Sequence, residues 1–488
     1  MSSPLSGLEP ALLWRHFDAI RSIPRPSGEE QRIVDHIKTW AHEHGWSYRV
    51  DQVGNLCVVV PATEGLDHTA PVALQAHLDM VCEKTAGSSF DFGNSPIHVV
   101  VDGDWVKSAG TTLGADNGIG VAAAMAIADD PQAAHGPLEL LFTVDEEATM
   151  SGASRLDPTI LTARRMINLD AEDDTALVVG CAGGCDTEIE YGARREHPPA
   201  GYVPVRVRVS GLRGGHSGLT IHENRGNAIK ILGRVLRRIL ARTDIYVWSI
   251  EGGNKANAIA RDASALTYIP DKHVDRMQAI ADDVRADCNA EIGDVDPDLA
   301  IAVEPAEPQG VPPFDCSSTR RLVRLINALP HGVVSMSNDI PGTVQTSTNV
   351  ATIRTDIDRA TIVTSSRSLL TSGLRVILDQ VDAVSRLAGA STGEMGMYPP
   401  WRANLSSPLL AVAKAAYRQV HGSDPKMIFV HAGLECGLIN EKIPALDIIS
   451  IGPLIEGVHA PRERVNVPSV MRFYATLLAL LRRVDVPA

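Results

Sequence analysis

The sequence is poor in cysteine and has no CxxC pair. Seven cysteines scattered over 488 residues are too few for a disulfide scaffold, and without close pairs they do not make a cysteine-rich metal module. This scarcity predicts a reducing, cytoplasmic setting. The stretch MSSPLSGLEPALLWRHF at the start of the sequence lacks a charged segment followed by an apolar run, so we predict no signal peptide.

Long apolar runs and an excess of positive charge are also missing. No apolar run approaches the ~20 residues that a membrane span needs, so we expect no membrane partner. The 45 basic residues are outnumbered by 59 acidic ones, which gives a net charge of −14. Binding of nucleic acid needs an excess of Lys and Arg or a basic stripe, so no nucleic-acid partner is expected.

The motifs of several large enzyme classes are absent as well. The sequence has no GxGxxG, GxxxxGK[ST], HExxH or GxSxG, which are typical of dinucleotide-binding enzymes, P-loop proteins, zincins and serine hydrolases. Apolar residues at 44% and charged residues at 21% are ordinary values for a folded globular protein. The length predicts two or three domains.

Short apolar runs alternate with helical patterns in the first part of the chain. A helix is predicted after Ser27, which with Glu30 has the spacing of a capping box, and another over Gly118–Asp130. Four apolar runs predict buried strands: Asn55–Val60, Pro71–Asp79, Leu138–Val144 and Arg165–Asp170. Strands that alternate with helices predict an α/β domain with a mostly parallel sheet.

The pattern changes at about Tyr202, where VPVRVRVSG alternates strictly between apolar and polar residues. Such alternation is typical of a strand with one exposed face, and similar strands and helices follow as far as Gly389. The α/β pattern returns with KMIFVHAGLECGLI and ALDIISIGP. We therefore predict a catalytic domain, residues 1–197 and 396–488, interrupted by an inserted α+β domain, residues 198–395.

Potential metal ligands stand at the ends of three predicted strands. His77 and Asp79 end one strand, Glu146 and Glu147 follow a second, and Asp170 ends a third. Ligands of open parallel sheets bind beyond the carboxyl ends of the strands, and imidazole combined with carboxylate suits zinc, cobalt or manganese. Each group taken alone is also typical of an ordinary loop, and consecutive acids are usually solvated.

A further acid, Asp116, lies in the glycine-rich stretch GTTLGADNGIG. It could bind a metal ion or simply cap the helix that follows. Adjacent side chains in an extended segment point in opposite directions, so one of Glu146 and Glu147 could reach a metal ion while the other faces a substrate. Spacing alone does not decide between this pair and the pair Asp145 and Glu146.

Five motifs occur in the order and spacing of one family. They are AHLDM, GTTLGADNGIG, the acids Glu146 and Glu147, NLD, and GPLIEGVHAP with His459. Together they resemble the metal-binding series of the M20 family of dinuclear metallopeptidases. GCAGG, LRGGHSGLTIH, HAGLECGL and SIGP are similar to the aminoacyl-histidine dipeptidases of that family. The resemblance covers nearly the whole chain and implies a zinc-peptidase-like α/β architecture with an inserted lid and dimerisation domain.

The resemblance also implies roles for single residues. Asp116 is expected to bridge two metal ions, Asp79 to accept the outer N–H of a ligand histidine, and Glu146 to act as the general base. The implied cofactor is a pair of divalent ions, zinc with cobalt or manganese as alternatives. The expected ligands are His77 and Asp170 for one ion, Glu147 and His459 for the other, and Asp116 for both.

Residues of the inserted domain, together with Gly433 in the second part of the catalytic domain, are implied in catalysis and substrate binding. His216 in GGHSG matches a histidine that, in dimeric relatives, reaches the active site of the partner subunit and stabilises the oxyanion, so a homodimer is expected. Asn257, Arg367 and Gly433 match positions that hold the substrate. His216 could instead be a turn histidine, and Asn257 and Arg367 could be surface residues.

Cys82 and Cys436 are interpreted as packing residues.

The expected function is hydrolysis of small peptides, namely dipeptides of the Xaa-His, carnosine-like type. Three departures from near relatives, Asp145, Thr149 and Ala460, remove no ligand but leave substrate range and metal preference open. Alternatives are another activity of the family, such as an N-acyl-amino-acid deacylase or a tripeptide aminopeptidase, or an inactive binding protein on the same fold.

Overall fold

The structure is a computed structural model that describes residues 3–484. The chain divides into two compact units. The first unit comprises the chain up to Cys181, Trp401–Phe429 and the chain from Leu434 onward, and the second comprises Ala182–Pro400 and Val430–Gly433. The lid and dimerisation roles expected of residues 198–395 stay a prediction.

Within residues 3–484 the helices and strands have the following bounds. The α-helices are α1 (Ala11–Ile20), α2 (Gln31–Glu43), α3 (Ala115–Asp129), α4 (Glu146–Thr149), α5 (Ser151–Ser154), α6 (Ala228–Leu240), α7 (Val274–Ile292), α8 (Cys316–Ala328), α9 (Thr371–Leu387), α10 (Pro408–His421), α11 (Glu435–Lys442) and α12 (Val467–Leu481). The strands are β1 (Ser47–Val50), β2 (Leu56–Val60), β3 (Val72–His77), β4 (Val99–Asp102), β5 (Trp105–Ser108), β6 (Leu138–Thr143), β7 (Arg165–Asn168), β8 (Ala176–Cys181), β9 (Gly183–Gly192), β10 (Tyr202–Ser210), β11 (Gly215–His216), β12 (Tyr246–Gly252), β13 (Ala258–Ile259), β14 (Ala263–Pro270), β15 (Ala300–Pro305), β16 (Gly332–Met336), β17 (Val344–Thr355), β18 (Arg359–Ser368), β19 (Ser391–Tyr398), β20 (Lys426–Val430), β21 (Asp447–Ser450), β22 (Ile455–Glu456) and β23 (Arg464–Asn466).

The main sheet of the first unit has the strand order β1-β2-β6-β3-β7-β21-β8-β20. Its central strands β6, β3, β7 and β21 are parallel, as the alternation of strands and helices predicts. The flanking pairs β1–β2, β2–β6 and β21–β8 are antiparallel. The pair β1–β2 is antiparallel because a short turn joins the two strands and reverses the chain, whereas parallel neighbours need a longer crossover.

The core of the first unit surrounds these central strands. β3 and β6 are buried along their whole length. α3 is buried on all sides over Asn117–Ile127, where small and apolar residues dominate, and it packs against β3 and α1. A helix that is apolar all round belongs in the interior. The beginning of α3 is therefore held firmly near the end of β3.

The predicted capping box at Ser27 and Glu30 is wrong. α2 begins after Glu30 without a side-chain cap. The Ser27 hydroxyl donates to Asp79 Oδ2 at 2.7 Å, while Glu30 Oε1 accepts the N–H groups of Gly28 and Asp145 at 2.7 and 3.0 Å. Each side chain thus binds a segment distant in sequence, Asp79 in the case of Ser27 and the Asp145 N–H in the case of Glu30, and these contacts compete with the pair of local contacts that the motif predicts.

The second unit is built on an antiparallel sheet with the strand order β15-β10-β14-β12-β17-β18-β9-β19, and β16 pairs with β17. In β10, Val205, Val207 and Val209 are buried while Arg206 and Arg208 are exposed, as the strict alternation predicts. α6 and α8 pack together, and they contribute apolar side chains to the same core as this sheet.

Each cysteine lies in the described part of the chain and is a free thiol, which agrees with the expectation that the protein has no disulfide scaffold. Across residues 3–484 the structure contains no helix of the length and apolar character needed to cross a membrane.

Candidate metal centre

The predicted ligands of the first unit come together at the carboxyl end of the parallel strands. His77 is the last residue of β3, and Asp170 follows β7 by two residues. Glu147 lies in α4, directly after β6, and Asp116 lies at the start of α3. His459 is in the loop between β22 and β23, with φ of 58°. The ends of neighbouring parallel strands meet at one edge of the sheet, so local sequence suffices to gather most of these groups.

The two carboxylate oxygens of Asp116 face two different groups of ligands. Oδ1 lies 3.1 Å from His77 Nε2, which is also 3.4 Å from Asp170 Oδ1. Oδ2 lies 3.3 Å from His459 Nε2, which is 2.9 Å from Glu147 Oε2. Each group offers ligand atoms that all lie within 4.8 Å of one another. The result is two triads that share Asp116.

The composition of the triads fits a pair of divalent ions. Each triad offers one imidazole nitrogen and two carboxylate oxygens, a mixture that suits zinc, cobalt or manganese. Four of the five side chains are largely buried, with exposed fractions of 1% for His77, 5% for Glu147, 9% for Asp170 and 13% for Asp116, whereas His459 is 52% exposed. Burying several carboxylates together is unfavourable unless cations lie among them. These residues are therefore suited to hold metal ions.

The pKa values of these groups reflect the same concentration of negative charge. Burial raises the pKa of Glu146 well above its ordinary value, and the charges of Asp170 and Glu147 add to the effect. Burial also raises the pKa of Asp170 to about 6. Burial alone lowers the pKa of His77, but the surrounding carboxylates outweigh it and raise this pKa well above the ordinary range. The site thus favours positive charge at its centre.

Asp79 has a wider role than the predicted contact with His77. Its Oδ1 lies 3.4 Å from His77 Nδ1, whose hydrogen bond at 3.2 Å goes to the Asp79 carbonyl oxygen. The same carboxylate accepts the backbone N–H groups of Glu146 and Glu147, each at 3.0 Å, and the Ser27 hydroxyl. Asp79 therefore orients the His77 ring and anchors the start of α4. Burial alone would raise the pKa of Asp79, but its interactions with His77, Ser27 and the Glu146 N–H outweigh burial, so this pKa is lowered.

The three consecutive acids are not equivalent. Asp145 has a left-handed backbone, with φ of 54°, and its Oδ2 accepts the hydroxyl groups of Thr149 and Ser151. Glu146 and Glu147 both belong to groups of potential ligands around His77. The expectation of an extended segment is wrong, because both glutamates begin the short helix α4. Adjacent side chains of a helix also diverge, since each residue turns the helix by about 100°.

Glu463 and Arg25 also shape this centre, and no sequence motif predicts either. Glu463 is 2% exposed and accepts four successive backbone N–H groups, from Leu113 to Asp116, at 2.7–3.3 Å. Arg25, 1% exposed, donates to the carbonyl oxygens of Leu78, Asp79 and Gly114 at 2.8, 2.6 and 2.5 Å. Arg25 thus joins the loop before Asp116 to the segment that follows β3, while Glu463 holds the backbone of the same loop.

Gly114 is required by this arrangement. Its φ is +70°, which disfavours residues with a side chain, and an added Cβ would lie 2.6 Å from Arg25 Nη2 and 2.8 Å from Met80 Sδ. The glycine-rich stretch before Asp116 thus lets the backbone approach the buried guanidinium closely.

Replacing Glu463 with Gln is expected to lower the free energy of unfolding of the first unit by about 3 kcal/mol, because the carboxylate accepts all four N–H groups and an amide NH₂ cannot accept any. Urea unfolding measures the change. Glu456→Gln is the matched control, since the Glu456 side chain is 46% exposed and pairs with Arg464 on the surface. Equal stability of the two variants would contradict this account.

His216 and Asn257 lie in the second unit. His216 Nδ1 accepts the backbone N–H groups of Gly218 and Leu219 at 3.1 and 3.0 Å, so a neutral ring carries its proton on Nε2. Asn257 is exposed, and its carbonyl oxygen accepts the N–H of Ser217 at 2.8 Å. Gly433 belongs to the segment Val430–Gly433 of this unit. The roles of these residues remain predictions.

Arg367 and Asn257 line one cavity of the second unit. The cavity has a volume of about 380 Å³ and also includes Lys255, Asp186 and Tyr398. Arg367 is 7% exposed, and its Nη1 donates to the Tyr398 hydroxyl at 2.6 Å. Its buried Nε has no hydrogen-bond partner among the described residues. A guanidinium placed in this way is suited to bind a carboxylate in a bidentate manner.

The remaining candidate residues have structural surroundings. Burial raises the pKa of Cys82 to about 11 and that of Cys436 well above its ordinary value, so neither thiol is activated as a nucleophile. His431 Nε2 contacts the Ser347 hydroxyl at 2.8 Å. Burial, and then the charge of Arg367, lowers the pKa of His431 to about 3, so its ring is neutral.

Comparisons with known proteins identify relatives over the whole chain. The model of peptidase family M20/M25/M40 matches residues 73–483. The cytosol non-specific dipeptidase of Escherichia coli (strain K12) is 38% identical over 486 residues, which covers 100% of both chains. The crystal structure of the aminoacylhistidine dipeptidase from Vibrio alginolyticus is 37% identical, covers 99% of each chain and superimposes with a TM-score of 0.89. Aminopeptidase PepT from Bacillus cereus, 16% identical with a TM-score of 0.56 over 98% of this chain and 99% of that one, shares the fold.

Proposed function

The chain belongs to peptidase family M20/M25/M40, and on this premise we propose that it is a metallodipeptidase that hydrolyses small unblocked peptides. The observation that carries the proposal is the shared carboxylate of Asp116, whose two oxygens face two separate triads of ligands. The relatives from Escherichia coli and Vibrio alginolyticus are both named as dipeptidases and match this chain from end to end.

Two divalent ions would be held by the paired triads, His77, Asp116 and Asp170 for one ion and Asp116, Glu147 and His459 for the other. Such ions supply Lewis acidity to a carbonyl oxygen and lower the pKa of a water molecule towards about 7. Zinc is the proposed metal, with cobalt and manganese as alternatives that the same ligands accept.

Proton transfer is assigned to Glu146. Its carboxylate lies beside His77 and Glu147, two of the proposed ligands, so it is placed next to the metal centre, where a carboxylate can accept a proton from water. Glu146 takes a proton from the attacking water and delivers it to the nitrogen of the leaving amine. Asp79 supports this step because it holds the backbone N–H of Glu146 and orients the His77 ring.

The second unit is proposed to bind the substrate. Arg367 is assigned to the carboxylate at the end of the dipeptide, with Asn257 and Gly433 along its backbone. His216 is assigned to the oxyanion, because Nδ1 accepts two backbone N–H groups and a neutral ring therefore carries its proton on Nε2, the nitrogen that can donate. By similarity to dimeric relatives, a homodimer in which His216 serves the partner subunit is proposed. A cytoplasmic location agrees with the name of the Escherichia coli relative.

A substrate panel on the metal-reconstituted protein tests this function. We expect hydrolysis of free dipeptides, with Xaa-His peptides among the preferred ones. Dipeptide amides should be cleaved at least about tenfold more slowly, since they cannot form the bidentate pair with Arg367. Release of the second residue, followed by liquid chromatography, gives kcat/KM for each peptide.

The same panel contains the outcomes that would overturn the proposal. Faster cleavage of N-acetylated amino acids than of any dipeptide would indicate a deacylase, and a preference for tripeptides would indicate a tripeptide aminopeptidase. No hydrolysis, together with fewer than one bound ion per chain by metal analysis, would indicate an inactive binding protein.

A further inference from the structure

A row of polar side chains crosses the centre of the main sheet beneath the metal ligands. Gln75 on β3, Thr143 on β6 and Asn168 on β7 are at most 1% exposed. Strands at the centre of a parallel sheet are normally apolar throughout, and a buried polar group must be compensated by hydrogen bonds. The dipeptidase chemistry described above does not use these residues.

Glu435 joins this row from outside the sheet. It is the first residue of α11 and is 1% exposed. Its Oε2 accepts Gln75 Nε2 at 2.7 Å and the Thr143 hydroxyl at 2.6 Å. Gln75 Oε1 in turn accepts Asn168 Nδ2 at 2.5 Å. We call these four residues the Glu435 network.

The network has a fixed polarity. When Glu435 is ionised, its carboxylate can only accept hydrogen bonds, so Gln75 presents its NH₂ group to Glu435 and its carbonyl oxygen to Asn168, as observed. A neutral partner at position 435 would permit the opposite orientation of the amide. The negative charge of Glu435 therefore selects one arrangement of the bridge between β3 and β7.

The bridge lies directly below two of the proposed ligands. Residues two apart on a strand share a face, and Gln75 precedes His77 by two residues on β3. Asn168 is the end of β7 and precedes Asp170 by two residues. Gln75 and Asn168 are paired in the register of the two strands. Their contact therefore sets the separation of the backbone segments that carry His77 and Asp170.

The Glu435 carboxylate is buried, and only one of its two oxygens takes part in the network. The second oxygen, Oε1, has no hydrogen-bond partner within the described part of the chain. A buried carboxylate in this position is stabilised by cations at the centre.

We propose that Glu435 is a positioning residue for the metal centre, which holds His77 and Asp170 at the separation that a divalent ion requires through the bridge of Gln75 and Asn168. This inference rests on the proposed function in one respect, namely that His77 and Asp170 bind metal. Removal of residues that orient metal ligands typically weakens metal binding by about 10–100-fold.

The test is metal binding by the full-length protein after removal of its ions with a chelator. Zinc titrations give the dissociation constants, and the visible absorption of bound cobalt reports the ligand geometry. Glu435→Gln is expected to weaken at least one ion by about tenfold or more and to change the cobalt spectrum. The double variant Glu435→Gln/Gln75→Glu moves the carboxylate to the other end of the contact, and we expect it to restore binding to within about threefold, since the bridge and the net charge are both recovered.

Glu139→Gln is the matched control. Glu139 is also a buried glutamate, 3% exposed, on β6 but at the end of the strand opposite to Thr143. Its carboxylate accepts the N–H groups of Thr162 and Ala163 at 2.8 Å. This variant is expected to lose thermal stability while its zinc affinity and cobalt spectrum stay unchanged.

Three results would overturn the proposal. The first is a folded Glu435→Gln variant that binds both ions as tightly as the parent protein, with the same cobalt spectrum. The second is a folded double variant that binds no better than Glu435→Gln. The third result concerns the case in which Glu435→Gln does not fold. The variant Gln75→Met, which removes the bridge without a change in charge, is then measured instead, and zinc binding as tight as in the parent protein would overturn the proposal. If the parent protein itself binds no divalent ion, the proposed function fails instead.

Discussion

Glu146→Gln is expected to lower kcat for dipeptide hydrolysis on the order of 10³- to 10⁴-fold while the protein keeps its metal ions. Glutamine fills the same volume but cannot take a proton from water. The helix α4 should be preserved, because the backbone N–H groups of Glu146 and Glu147 still donate to the Asp79 carboxylate. Steady-state kinetics and metal analysis of the same preparation measure both quantities.

Asp145→Asn is the matched control for this variant, since it removes one charge from the adjacent residue. Asn tolerates the left-handed backbone of position 145, with φ of 54°, and its side-chain oxygen can still accept the hydroxyl groups of Thr149 and Ser151. We expect a change in kcat of less than about tenfold, because Asp145 contacts no reacting group. High activity of Glu146→Gln, or an equal loss in both variants, would show that the base is wrongly assigned.

Removal of the metal ions is the second change with a large expected effect. Dialysis against a chelator is expected to abolish hydrolysis, and addition of zinc, cobalt or manganese to restore it, because the polarisation of the carbonyl and the acidity of the water depend on the ions. The stripped protein should also be less stable, since ions that bind only the folded state stabilise it.

The loss of stability is expected to grow as the pH rises. Burial raises the pKa of Glu435 from 4.5 to about 7 and that of Asp170 from 3.8 to about 6. Between these pairs of values the folded stripped protein binds more protons than the unfolded chain, so its free energy of unfolding falls with rising pH. The stability that each of these groups gives the stripped protein is fully present below the ordinary pKa of the group and is lost as the pH rises through its raised pKa. The raised pKa of His77 acts in the same direction.

Thermal unfolding of loaded and stripped protein across the pH range checks this expectation. The difference in Tm should be small near about pH 5 and larger near about pH 8, with a contribution of about 1.4 kcal/mol for each unit by which a pKa is shifted. A difference that stays constant, or that shrinks with rising pH, would contradict the assignment of these acids to a metal centre. Glu435→Gln should reduce the pH dependence, because one of the titrating groups is removed.

Much of the first unit follows from local patterns. Apolar runs predict β3, β6 and β7 within a few residues of their observed bounds, because buried strands must be apolar over their length. The ends of parallel strands meet at one edge, so the positions of His77 and Asp170 also follow from local sequence. The antiparallel flanks of the sheet were not apparent, since the direction of a strand depends on its connections.

Short motifs were less informative where distant residues compete. Ser27 and Glu30 have the spacing of a capping box, yet their side chains bind Asp79 and the Asp145 N–H. The expected extended conformation of Glu146 and Glu147 was wrong for a similar reason, because the contacts of both N–H groups with Asp79 favour a helical start.

By itself, the sequence determined the family, the alternation of strands and helices, and the kinds of side chain available to bind metal. Only the tertiary structure decided that Asp145 turns to Thr149 and Ser151 while its two neighbours join the ligand groups. It also revealed the supports of the centre, which join residues 350 positions apart in the case of Glu463 and Leu113 and 360 apart in the case of Glu435 and Gln75. No local pattern encodes such contacts, because they form only when packing has brought the two segments together and buried them from water.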